Sequence, residues 1–70
     1  MLSVFHAQGI TFVAHAMPCG MGWLSTVDVV YPDTLVCQHQ RLDPYPTEVA
    51  ALLGSFADAA YLAAQVRKKD

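Results

Sequence analysis

The sequence predicts an α+β fold: a small antiparallel four-stranded β-meander followed by one C-terminal α-helix packed on one face of the sheet. Three observations predict it. Short β-branched and aromatic runs with period-two alternation fill most of residues 2 to 41. Turn-forming residues punctuate them at Gln8-Gly9, at Pro18-Cys19-Gly20-Met21-Gly22 and at Pro32-Asp33-Thr34. Beyond Asp43-Pro44-Tyr45-Pro46 the apolar residues switch to helical spacing.

The first two strands, about 2 to 7 and 10 to 16, form a hairpin around Gln8-Gly9, a two-residue loop in which glycine takes positive φ. With that loop Ala7 faces Ile10 and Phe5 faces Phe12. Phe5, Ile10, Phe12 and Ala14 therefore share the core face, and Val4, His6, Thr11, Val13 and His15 the other. The third strand, about 23 to 31, puts Trp23, Val27, Val29 and Tyr31 on the core face and Leu24, Thr26, Asp28 and Val30 opposite. For the fourth, about 35 to 41, Leu35 and Cys37 are placed inward in preference to Val36.

Two prolines within residues 44 to 46 end that strand, since proline donates no ladder hydrogen bond. Thr47 is a good N-cap and Glu48 suits the positive end of the helix dipole, so the helix runs from about 47 to 66. Val49, Leu52, Leu53, Phe56, Ala60, Ala63 and Val66 make its sheet-facing stripe, and Arg67, Lys68 and Lys69 complement its C-terminal end. Ala50, Gly54, Ala57 and Asp58 form a small-residue strip, open to a second backbone. Tyr61 and Leu62 lie partly off the main stripe.

The chain, residues 1 to 70, reads as one domain near the lower size at which a core forms without metal or disulfide. Hydrophobic residues make up 54% and charged residues 14%, against roughly 25% charged in ordinary soluble domains. So few charges leave apolar surface for a second copy or another protein to cover. Up to Val66 the acids Asp28, Asp33, Asp43, Glu48 and Asp58 face one base, Arg41. That balance disfavours nucleic acid, which needs clustered Lys and Arg. The first 27 residues hold no Asp, Glu, Lys or Arg, and Ala14-His15-Ala16 imitates a cleavage site. There is no positive leader, however, and His6, Gln8 and Gly9 interrupt the apolar run. The expectation is β-structure, no membrane segment, a cytoplasmic address and free thiols.

Cys37 and His39 fall on one strand face, and Cys19 is able to approach from its loop, with His15 or His6 as a further ligand. These are the candidate zinc ligands. Structural zinc sites bring ligands in closer pairs than this, and buried cysteine packs as a small hydrophobe, so the expectation is no metal and no cofactor. Cys19 has no cationic neighbour in sequence to lower its pKa, as a nucleophilic Cys–His pair requires. Turn, helix-dipole and solvation roles account for Asp33, Asp43, Glu48 and Asp58; Asp28 reads as a solvent-facing strand residue. Met17 to Gly22 leads into a strand, unlike a phosphate loop, and the aromatics point toward the helix rather than outward for base stacking.

No motif identifies a family. The sequence reading is a non-enzymatic accessory protein of bacterial or phage type acting by protein–protein contact as a homodimer, with Met21, Trp23, Tyr61 and Leu62 at the interface. The alternative is a small metal- or nucleic-acid-binding module using Cys19, Cys37 and His39, or the basic tail.

Overall fold

Strands β1 (Ser3–Ala7), β2 (Ile10–Cys19), β3 (Gly22–Val30) and β4 (Val36–Gln40) pair antiparallel in the order β1-β2-β3-β4, and the helix α1 (Glu48–Lys68) follows. The structure is a computed structural model that describes residues 2 to 33 and 35 to 68. Thr34 of the third turn, and Lys69 and Asp70 of the tail, lie outside the described residues.

The first hairpin has the expected register, with Phe5 opposite Phe12 and Ala7 opposite Ile10. Its loop takes positive φ at both central positions, Gln8 at 53° and Gly9 at 78°, so the turn twist matches that of the strands. The second hairpin is tighter than its sequence predicts. β2 continues to Cys19, which pairs with Gly22, and only Gly20 and Met21 make the turn. Pro18 is tolerated in this ladder because, among the described residues, β1 pairs with β2 no further than Ala14. Cys19 is therefore a strand residue and not a member of a flexible loop.

Cross-strand pairs Phe12–Val29 and Ala14–Val27 put the buried hydrophobic residues of β2 and β3 on one face. α1 packs there, against β1, β2 and β3 but not β4. Thr47 caps it, its Oγ1 accepting from Ala50 N at 3.2 Å and its carbonyl from Ala51 N at 3.2 Å. Glu48 occupies the first turn, and Arg67 and Lys68 the last.

The helix stripe matches the expected one in part: Leu52, Phe56, Ala63 and Val66 face the core, whereas Val49, Leu53 and Ala60 do not. Ala51, Ser55, Ala59 and Ala63, spaced by four residues, are all buried, with Leu52, Phe56, Leu62 and Val66 beside them. Small residues on the contact row let the helix backbone approach the bulky Phe12, Val27 and Val29 on the sheet. Val49 and Leu53, expected inward, are 65% and 61% exposed, and Ala60 is exposed too. Tyr31 and Leu35, also expected in the core, are exposed at the sheet corner that α1 does not reach.

Candidate functional site

After β4 the chain stays beside β3 with a bulge. Arg41 N donates to Ser25 O at 3.1 Å, Leu42, Asp43 and Pro44 bow outward, and Tyr45 returns to form a two-bond bridge with Trp23 at 2.9 and 2.7 Å. The bulge encloses only a shallow, open concavity lined by Arg41 to Tyr45. Trp23 is half-buried on the helix side of the sheet through this bridge, while Met21 stands 84% exposed in the adjoining turn and Met17 emerges on the opposite face. These three residues do not make one patch, because strand alternation sends Met17 and Trp23 to opposite sides.

Two contacts fasten the bulge to α1. Tyr45 lays its ring on Gly54, so close that a Cβ there would sit 2.5 Å from the tyrosine hydroxyl oxygen. The expected small-residue strip is thus filled at Gly54 by the chain's own Tyr45, while Ala57 stays exposed. Arg41 Nε and Nη2 each donate to Asp58 at 2.8 Å, a bidentate pair from the body's single base to the helix interior's single acid. Hydrogen bonding from Arg41 holds the Asp58 carboxyl below its ordinary pKa, against the opposing effect of burial; His39 and Ser25 add smaller downward contributions. The Ser25 hydroxyl is buried near this carboxylate, outside the geometry of a proper hydrogen bond to any partner among the described residues. Asp58 is therefore not the solvated helix position its sequence context suggests.

The other sheet face has a polar centre. Asp28 receives Gln38 Nε2 at 3.0 Å on one oxygen and meets His15 Nε2 at 3.0 Å on the other. Beside them Gln40 donates to Thr26 Oγ1 at 3.2 Å and covers it so that Thr26 is fully buried without any helix above it. Asp28 is the acceptor of a cross-strand network, more than a solvated strand position. Val4, Met17 and Val36 lie exposed around this centre.

The candidate metal ligands are dispersed. Cys37 and His39 share the helix side of β4, opposite Val29 and Val27, and both are exposed because α1 stops short of that strand. Cys19 pairs at Gly22, seven residues along β3 from Val29, or about 23 Å of strand. His6 and His15 project from the opposite face. Among the described residues no group of three His, Cys, Asp or Glu side chains is placed to hold a metal ion.

The outer side of α1 is the remaining surface. Val49, Leu53 and Tyr61 are each more than 60% exposed there, with Ala57 and Ala60 exposed between them and Ala64 beyond. From Val49 to Val66 the only formal charge is Asp58, already paired with Arg41. Leu62, expected at the same surface, is half-buried and packs on the core cluster. By length and composition α1 is also apolar enough to cross a membrane, which the covering helix of a small core can equally be. No family model, curated protein or solved structure matches the chain.

Proposed function

We propose that the protein is a non-enzymatic accessory module that works by protein–protein contact and self-associates as a homodimer. The observation that carries this reading is the outer side of α1, an exposed helix face with large apolar side chains, where the one formal charge between Glu48 and Arg67 is Asp58, already paired with Arg41. Surface helices of monomeric domains carry polar or charged residues on the side away from the core. Here Val49, Leu53 and Tyr61 stand in water instead, and burying each recovers roughly 1.5–3 kcal/mol at full burial. The conspicuous polar groups are engaged structurally: Asp58 with Arg41, and Asp28 with Gln38 and His15. That supports contact rather than catalysis as the mode of action.

Native mass spectrometry of the untagged protein over a concentration series tests the reading. A dimer that dissociates on dilution is the expected result. A monomer at every concentration up to the millimolar range overturns the homodimer.

A further inference from the structure

Resting on the homodimer of that reading, we propose that its two-fold contact is the free edge of β4, where two copies share one zinc ion held by Cys37 and His39 of each. β4 ends the strand order, so among the described residues one of its sides has no neighbouring strand. The ladder decides which of its groups face that side. Tyr31 N donates to Leu35 O and Arg41 N to Ser25 O, and hydrogen-bonded pairs alternate with non-bonded ones in an antiparallel ladder. Leu35, Cys37, His39 and Arg41 therefore bond toward β3, while the N–H and C=O groups of Val36, Gln38 and Gln40 face the open edge.

Edge strands are ordinarily guarded by charge or proline. From Leu35 to Gln40 there is neither a proline nor a formal charge. A second copy fits this edge by symmetry. With Gln38 opposite the partner's Gln38, the two-fold axis stands normal to the sheet, Val36 bonds with the partner's Gln40, and Cys37 falls in a non-bonded pair with the partner's His39. The Cα atoms of such a pair are about 4.5 Å apart, and those of Cys37 and His39 within one strand about 6.6 Å. All four side chains lie on the helix side of the sheet, over the strand that α1 does not reach.

Structural zinc takes four ligands in a tetrahedron, with two cysteines and two histidines among the common sets. Each copy brings half of that set, and the site is incomplete without the other. Cys37 is a free, exposed thiol and His39 is exposed beside it; among the described residues no hydrogen bond engages either side chain. Two thiolates neutralise the dication, their protons passing to solvent. Pairing two five-residue strands covers far less than the roughly 800 Å² per partner of a standard interface. The metal–ligand bonds supply what the area lacks, so the dimer is weak in chelator and tight with zinc. The outer sides of both α1 helices stay outside this contact.

The test is sedimentation equilibrium of the full chain under a phosphine reductant, once with chelator and once with zinc chloride. Zinc should lower the dimer dissociation constant by about a hundredfold or more, with one zinc per two chains in native mass spectrometry. Cys37→Ser and His39→Gln, both at exposed positions, should keep the melting temperature of the monomer within a few degrees and lose the response; Cys19→Ser should retain it. Cobalt(II) in place of zinc should give the visible absorption of a tetrahedral thiolate site in the dimer alone. In hydrogen exchange, zinc should protect the amides of Val36, Gln38 and Gln40, and their unchanged exchange in a zinc-bound dimer would overturn the edge pairing. A dimer equally strong in chelator and in zinc would leave the homodimer standing and overturn this proposal, as would a zinc response that Cys37→Ser leaves intact. A monomer under both conditions would remove both.

Discussion

Gly54→Ala is a sensitive probe of how the bulge between β4 and α1 is held. In an exposed helix interior this substitution stabilises by about 1 kcal/mol, because alanine restricts the unfolded backbone more than glycine does. Here the new methyl group would lie 2.5 Å from Tyr45 Oη, 2.9 Å from Cζ and 3.3 Å from Cε1. Ordinary contact between such atoms is about 3.5–4.0 Å, so the ring must swing by roughly an ångström. Its main chain cannot follow, since Tyr45 is bonded to Trp23 at both N and O. The displacement falls on the side-chain torsions, at about 0.5–1.5 kcal/mol for an off-rotamer ring, together with lost packing on the helix. The helical gain is therefore cancelled or reversed in the native background, while in a Tyr45→Ala background it returns in full. A double-mutant cycle by urea denaturation should give a coupling of at least about 1 kcal/mol between the two sites. Equal stabilisation by Gly54→Ala in both backgrounds would show that the ring does not rest on Gly54, and the reasoning would fail.

Gly22→Ala should be costlier than Gly54→Ala: φ is +139° there and the added carbon meets the backbone carbonyl of Tyr45, which cannot move without breaking the bridge to Trp23; chemical denaturation compares the two. Asp58→Asn should lower the melting temperature at neutral pH. Because Asp58's folded pKa is depressed, its pair stabilises above the usual carboxylate range of about 4 and is lost as pH falls through the lower folded value; melting curves of native and variant proteins should converge as the solution is acidified. Phe12→Ala removes the largest fully enclosed side chain, 2% exposed in the core, at about 3–5 kcal/mol, most of the stability a chain of this size holds; circular dichroism should find it largely unfolded at 37 °C. Cys37, exposed on β4, should react with a maleimide faster than the half-buried Cys19, and peptide mass mapping of a timed reaction distinguishes them.

Strand alternation made the sheet legible in the sequence. The facing of Phe5, Phe12, Val27 and Val29, the Gln8-Gly9 hairpin and the Thr47 cap follow from period, turn chemistry and capping alone. The helix stripe followed only in part, with Leu52, Phe56, Ala63 and Val66 inward but Val49, Leu53 and Ala60 outward, for a physical reason: α1 is apolar nearly all round, so hydrophobicity alone does not orient it. The orientation comes from size. A row of Ala51, Ser55, Ala59 and Ala63 admits the sheet's bulky residues, whereas Val49 and Leu53 would hold the helix away. The clasp between Arg41 and Asp58 was half visible. One base in the body and one acid within the helix are both conspicuous as singletons, but nothing local says that the bulge at residues 42 to 44 brings them together. The scattering of Cys19, Cys37 and His39 depends on the length of β2, and Pro18 concealed that length. Proline argues against a central strand, and nothing local says that β1 pairs with β2 no further than Ala14.

The mismatch between one helix and four strands ties these findings to function. Four strands spaced about 4.8 Å apart span roughly 19 Å, while a helix with its side chains is about 10–12 Å wide. One helix therefore covers three strands at most and leaves the fourth bare on the helix side, as the exposure of Cys37 and His39 shows. The clasp to Asp58 and the Tyr45 ring on Gly54 sit at the margin of that cover, where they pin the helix laterally and hide the backbone strip beside it. Pinning fixes which side of α1 faces solvent. The clasp at Arg41 and Tyr45 and the small row of Ala51, Ser55, Ala59 and Ala63 act in the same sense, keeping Leu53, Ala57, Ala60 and Ala64 outward. Loosening the pin with Asp58→Asn should therefore raise hydrogen exchange along α1 as well as lower stability, without any change on the outer face itself. Hydrogen exchange of that variant against the native protein checks it, and unaltered protection along α1 would mean that core packing alone orients the helix.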